Sequence, residues 1–273
     1  MDIISNLLLS RGLDMQKKKR VNPLYPPVRA LIRLFTPRPE FIGAEKLPDE
    51  PCVVVGNHCQ MNGPLIAELY FPGKNYTWCA GEMMRWSEAP AYAYADFWSF
   101  KPRWCRPFFR LLSYIITPLA VLLFNNARTV PVYHDMRLIG TYRASIERLQ
   151  EGWNLIIFPE KNERYNNILY EFQDKFIDLA RFYYKKSGRA LSFVPVYNAP
   201  TLRRTLIGEP IVFDPSRPIG EERARICSAL KDAITALAVS LPEHTVIPYR
   251  NIPKRLYPKN IPCEVYDDEK TGR

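Results

Sequence analysis

Short apolar runs alternate along the chain with longer segments whose apolar residues recur at helical spacing, and no other feature restricts the fold as tightly. Cys52-Val53-Val54-Val55, closed by Gly56, is apolar without alternation, the pattern of a strand buried on both faces. Tyr76–Ala80, Thr129–Tyr133, Asn154–Phe158, Leu191–Tyr197 and Ile211–Phe213 are further strand candidates. Between them, Pro64–Leu69 reads as a helix opening, with Asn62-Gly63-Pro64 as its cap and first turn. Asp135–Gln150 reads as a helix. Ile168, Phe172, Phe176, Leu179, Ala180 and Tyr183 share one helical face, and Ile226, Leu230, Ala233, Ile234, Leu237 and Leu241 share another. Strands alternating with helices predict an α/β fold with a mostly parallel sheet covered by helices.

Charge divides the chain of 273 residues into three parts: a leader (1–40), an α/β domain (41–241) and a tail (242–273) punctuated by Pro242, Pro248, Pro253, Pro258 and Pro262. Residues 1–38 carry net charge +6 of the total +10, leaving +4 to the other 235 residues. Cations mixed with Ile3, Ile4, Leu7, Leu8, Leu31, Leu34 and Phe35 fit an anionic membrane surface. The same charge would also serve nucleic acid or a solvated tail, and no specific nucleic-acid contact is expected. The longest uncharged apolar run, Leu111–Phe124, has 14 residues with Pro118 inside, short of the ~20 needed to span a bilayer. A buried helix and a membrane-dipping one both satisfy it. Nine aromatics between Trp86 and Phe109 lie among Lys101, Arg103 and Arg106, as at a headgroup-level surface or in an aromatic core. Six cysteines without CxxC spacing, and an apolar Ile3–Leu9 run that precedes its positive charges, predict a reduced chain without a secretory signal. The expected location is cytoplasmic, peripheral to the cytosolic membrane face.

Three histidines carry most of the candidate chemistry. His244, in the Pro-rich tail, is expected at the surface, and His134 is ambiguous. His58 comes directly off a buried strand, at the sheet edge where α/β proteins bind ligands. An imidazole there can act as a general base, because its ordinary pKa lies near neutrality. A helix-entry residue satisfied by local backbone is the plainer alternative. Cys59 is a poor nucleophile candidate, since neighbours on an extended segment point apart. No Gly-rich phosphate loop or metal-ligand cluster is evident, so neither metal nor cofactor is expected.

Four blocks in order resemble the glycerolipid acyltransferase family, the lysophosphatidic-acid and glycerol-phosphate acyltransferases. They are Val55-Gly56-Asn57-His58 with Gly63 five positions on, Arg128-Thr129-Val130-Pro131-Val132-Tyr133-His134, Phe158-Pro159-Glu160-Lys161-Asn162-Glu163, and Phe193-Val194-Pro195-Val196. Gly43-Ala44-Glu45-Lys46-Leu47-Pro48 and Gly208-Glu209-Pro210-Ile211 flank them, so the resemblance covers about 41–240. It implies transfer of a fatty acyl group from acyl-CoA or acyl-carrier protein, as co-substrate, to a hydroxyl of a glycerolipid-type acceptor. His58 would be the base. Asn57 and Asn62 would support the loop, and Arg128, Glu160, Lys161 and Arg164 would serve the acceptor.

Three positions depart from the family pattern. Gly63 stands where the family has the Asp that orients its His, and His134 and Glu163 stand where it has arginines. Glu repels a phosphate that Arg would grip. The departures keep a second expectation open, a non-catalytic descendant that binds lipid or acyl chains.

Overall fold

The computed structural model describes residues 21–99, 101–133 and 135–263, without the side chains of Asn162 and Arg164. In chain order its elements are α1 (Tyr25–Phe35), β1 (Glu40–Ile42), β2 (Cys52–Gly56), α2 (Asn62–Tyr70), β3 (Asn75–Ala80), α3 (Ala89–Trp98), α4 (Arg106–Asn126) and β4 (Thr129–Val132). They continue with α5 (Leu138–Gln150), β5 (Asn154–Ile157), β6 (Glu160–Tyr165), β7 (Tyr170–Phe172), α6 (Asp178–Ser187), β8 (Ser192–Ala199), β9 (Arg204–Ile207), β10 (Ile211–Val212) and α7 (Ile219–Val239). The chain forms two compact units. One holds the described residues up to Phe35 with Thr77–Ser145, and the other holds 36–76 with the described residues from Ile146 on. The fold is α/β with a mostly parallel sheet, as the alternating pattern predicts.

In the unit that carries His58, strands lie in the order β1-β9-β8-β2-β5, with β10 also on β8. β2 runs parallel to both neighbours, placing Val54 beside Ile156 and Val194, whereas β9 and β10 pair antiparallel to β8. All five β2 residues are buried, because both faces of the strand are covered. Cys52, Val54, Ile156, Val194 and Val196 pack against Ala67 and Phe71 at the α2 side. α7 lies along β8 with Ile226, Leu230 and Ile234 fully buried, and the Arg223 guanidinium grips both oxygens of Asp178 on α6, at 2.7 and 2.6 Å.

The expected helical face beginning at Ile168 is a strand and a turn instead. The Asn166 side chain accepts the N–H groups of Ile168 and Leu169, at 3.1 and 2.8 Å, and Asn167 is left-handed at φ 71°. This Asx-type turn closes a hairpin of β6 and β7, with Tyr165 stacked on Tyr170 at 4.4 Å. The helix starts ten residues late, at Asp178. His244 likewise departs from its expected surface position and is 4% exposed. Its Nδ1–H donates to the Pro242 carbonyl at 2.8 Å, so its Nε2 accepts the Tyr197 hydroxyl at 2.9 Å.

In the other unit, β3 and β4 pair in parallel. Met83, Ala93 and Ala120 form a small core with Tyr92, Phe97, Ile116 and Phe124 packed on it. The 14-residue run expected to fall short of a bilayer lies inside a longer helical stretch, Arg103–Asn126, of 24 residues, long and apolar enough to cross a membrane by length and composition. Pro118 is accommodated without ending the helix. Phe108, Leu111, Ile115 and Leu119 recur at helical spacing on its exposed side, together with Tyr114. α1 packs on α4 and leaves Leu31, Leu34 and Phe35 exposed. The leader residues Ile3, Ile4, Leu7, Leu8 and Lys17–Arg20 lie outside the described residues.

Candidate active site

Beyond Gly56 the chain turns sharply into α2, and the turn carries His58. Cys59 and Gln60 are both left-handed, at φ 48° and 56°, a conformation that side chains disfavour and that surrounding bonds must hold. Asn57 supplies the first of these. Its Oδ1 accepts the Asn198 N–H at 2.6 Å and its Nδ2 donates to the Asn198 carbonyl at 3.0 Å, while Asn198 Nδ2 returns a bond to the Asn57 carbonyl at 3.2 Å. Asn62 is the first residue of α2 rather than its cap, and its Nδ2 donates to the Cys59 carbonyl at 3.0 Å. Both asparagines therefore brace the turn.

The half-buried imidazole of His58 sits edge-on between Phe158 and Tyr249, at ring separations of 5.4 and 5.3 Å. Its Nδ1 hydrogen-bonds to the main-chain carbonyl of Gln60. Burial lowers its pKa to about 4, so the ring is neutral at neutral pH and able to take a proton. Below it, Glu160 is 3% exposed. Its two oxygens accept main-chain N–H groups from His58 at 2.6 Å and Tyr170 at 2.9 Å. Burial raises the Glu160 pKa to about 7, against the pull of those two donors. The carboxylate thus fastens strand β7 to the His58 turn.

Gly63 N–H donates to the His58 carbonyl at 3.0 Å, and the position has no room for a side chain. A Cβ there would lie 2.6 Å from the His58 carbonyl oxygen, 2.9 Å from that of Asn57 and 2.9 Å from Phe158 Cε1. Position 63 is closed chiefly by main chain. A small cavity of about 10 Å³, room for about one water, lies alongside, lined by Val54, Gly56, Gly63, Ile66, Phe158 and Asn198 among others. That is far below the roughly 300–1,000 Å³ of ordinary ligand sites.

The remaining sequence candidates are distributed more widely. Lys161 forms an ion pair with Glu163 at 2.6 Å. The Arg164 side chain and His134 lie outside the described residues. Arg128 belongs to the other unit, where its carbonyl accepts the Thr77 N–H at 2.8 Å. Cys59 is buried and its thiol pKa is pushed well up by burial, which keeps it protonated. Sequence reasoning missed Gln60, Asn198, Tyr249 and Tyr257, the last of which accepts a 2.8 Å bond from the Gln60 amide. Asn198 had a signal, two residues beyond a Val-Pro-Val strand whose C-terminal edge faces the same way as that of β2. The tyrosines are nearly 200 residues from His58 in a tail of irregular backbone and had none.

No protein-family model matches the chain. No curated protein matches it either. Among solved structures, the chain is similar to a 1-acyl-sn-glycerophosphate (LPA) acyltransferase, PlsC, from Thermotoga maritima, at 17% identity over 85% of this chain and 88% of that one, with a TM-score of 0.46.

Proposed function

We propose that the protein transfers a fatty acyl group from acyl-CoA or acyl-carrier protein to a hydroxyl of a glycerolipid-type acceptor, with His58 as general base. The observation that carries the reading is the convergence of three of the four sequence blocks on the turn that carries His58. Phe158 packs against the imidazole, Glu160 accepts the His58 main-chain N–H, and Asn198 near the end of β8, the strand of the fourth block, exchanges hydrogen bonds with Asn57. His58 takes the acceptor's hydroxyl proton as that oxygen attacks the thioester carbonyl. The C–S bond then breaks, and the thiolate leaves with the proton from the imidazolium. The Lys161–Glu163 pair lowers the positive charge available to an acceptor phosphate, which favours a phosphate-poor hydroxyl acceptor.

The exposed apolar residues of α4 and α1 support work at a lipid surface, peripheral to the cytosolic face of a membrane. Arg103, Arg106 and Arg110 on and before α4 suit anionic headgroups.

The closed position at Gly63 favours a second reading, a descendant that binds lipid or acyl chains without turnover. The experiment that decides compares wild type with His58→Ala, using both thioester donors against lysophospholipid, glycerol-phosphate and phosphate-free hydroxyl acceptors. Turnover lost in His58→Ala supports the transferase. Silence from folded wild type that still binds vesicles supports the second reading.

A further inference from the structure

We infer that the main-chain carbonyl of Gln60 is the positioning group of His58, holding the imidazole in its Nδ1–H tautomer and leaving Nε2 bare to receive the proton. The inference rests on the reading of His58 as base, and it names what replaces the carboxylate for which Gly63 leaves no room.

A carbonyl oxygen can only accept, so the bond between Gln60 and His58 Nδ1 requires the proton on Nδ1. The backbone is shaped for that bond. Two successive left-handed residues, Cys59 and Gln60, fold the chain back so that the carbonyl of residue 60 meets the ring of residue 58. Such a conformation persists only where the surroundings enforce it. Here Asn57 and Asn62 hold one side of the turn, and Tyr257 holds the Gln60 side chain on the other. The carboxylate at the turn binds main chain and not the ring: the Glu160 oxygens accept the N–H groups of His58 and Tyr170.

The substitution has a chemical consequence. A triad Asp replaced by Asn loses about 10⁴ in rate because the amide fixes the wrong tautomer. A backbone carbonyl fixes the right one and lacks only the negative charge that steadies the imidazolium. The orienting half of the carboxylate's work is retained and the electrostatic half is absent.

The test is the tautomer of His58, read from long-range ¹H–¹⁵N correlations in uniformly ¹⁵N-labelled full-length protein at neutral pH. With three histidines in the chain, the spectrum of His58→Gln assigns the signal by its loss. The expected result is a protonated Nδ1 and a bare Nε2 in wild type. The same is expected in Gln60→Gly, since glycine takes positive φ freely. In Gln60→Pro, whose ring pins φ near about −65°, the carbonyl swings away and the Nε2–H form should grow. A wild-type spectrum dominated by Nε2–H overturns the inference. So does an unchanged tautomer in Gln60→Pro that retains the bonded His244 signals of the folded protein. If Gln60→Pro does not fold, wild type and Gln60→Gly decide by the same criterion. The tautomer is read without turnover. An Nδ1–H imidazole in a protein inactive on every acceptor therefore sinks the transferase reading and leaves the positioning intact.

Discussion

A carboxylate introduced at position 63 should damage the protein rather than improve it. The residue is helical and its φ is not left-handed, so Gly63→Ala ought to gain about 1 kcal/mol from helix propensity alone. Against that gain stand contacts of 2.6 and 2.9 Å from the new Cβ to two main-chain carbonyl oxygens, and 2.9 Å to the Phe158 ring edge. The ring can shift by tenths of an ångström. The carbonyls cannot, because one accepts the helix's own Gly63 N–H and the other is bonded to Asn198. Overpacking of this kind costs typically 1–3 kcal/mol and more where backbone must move. The net expectation for Gly63→Ala is a loss of about 1–2 kcal/mol. Gly63→Asp adds a carboxylate facing carbonyl oxygens and should lose about 3 kcal/mol or more. Urea unfolding of wild type and both variants measures this, alongside thiol release from an acyl-CoA donor. A Gly63→Asp protein as stable as wild type, or one with raised activity, would refute the claim that main chain has closed this position.

The opposed shifts of His58 and Glu160 predict a pH signature. The native imidazole titrates near 4 instead of 6.5, so it is neutral where the unfolded chain binds a proton, and stability rises by about 3 kcal/mol from pH 4 to 6.5. The native Glu160 titrates near 7 instead of 4.5, so it keeps a proton the unfolded chain has lost, and stability falls by about 3 kcal/mol from pH 4.5 to 7. In wild type the two largely offset. Glu160→Gln should therefore show stability climbing with pH across that window and His58→Gln should show it falling; identical pH slopes in all three proteins would count against the burial of both groups. For the lipid surface, Phe108→Ser, Leu111→Ser and Ile115→Ser together should lower co-sedimentation with anionic vesicles at least about tenfold, given ~25 cal/mol per Å² of apolar area withdrawn from water. Unchanged vesicle binding would place the contact elsewhere.

The centre of the sheet was legible because β2 and most of β5 are short apolar runs, and Cys52–Gly56 is as buried as its composition implies, whereas β9, opening on Arg204 and Thr205, gave no such run. The helix expected from Ile168 was not, since its apolar spacing of four fits a helix while the Asn166-Asn167 turn ahead of it imposes a hairpin. At the site, His58 was legible from its place after a strand. The bonds that orient it were not, because they come from main-chain atoms, which carry no sequence signal. The Gln60 carbonyl reaches the ring through two left-handed residues, Cys59 and Gln60, that no propensity suggests. His244 was misplaced at the surface because it follows Glu243 in a Pro-rich tail, whereas Tyr197 and Pro242 satisfy both of its ring nitrogens inside.

The central claim, that His58 is the base of an acyl transfer, is tested most directly by thiol release and acyl-product formation in wild type and His58→Ala, measured on the same vesicle-bound acceptors. General-base removal should lower kcat by about 10²–10⁴, or about 3–5 kcal/mol of barrier, with the fold intact by urea unfolding. Equal rates in the two proteins would contradict the account.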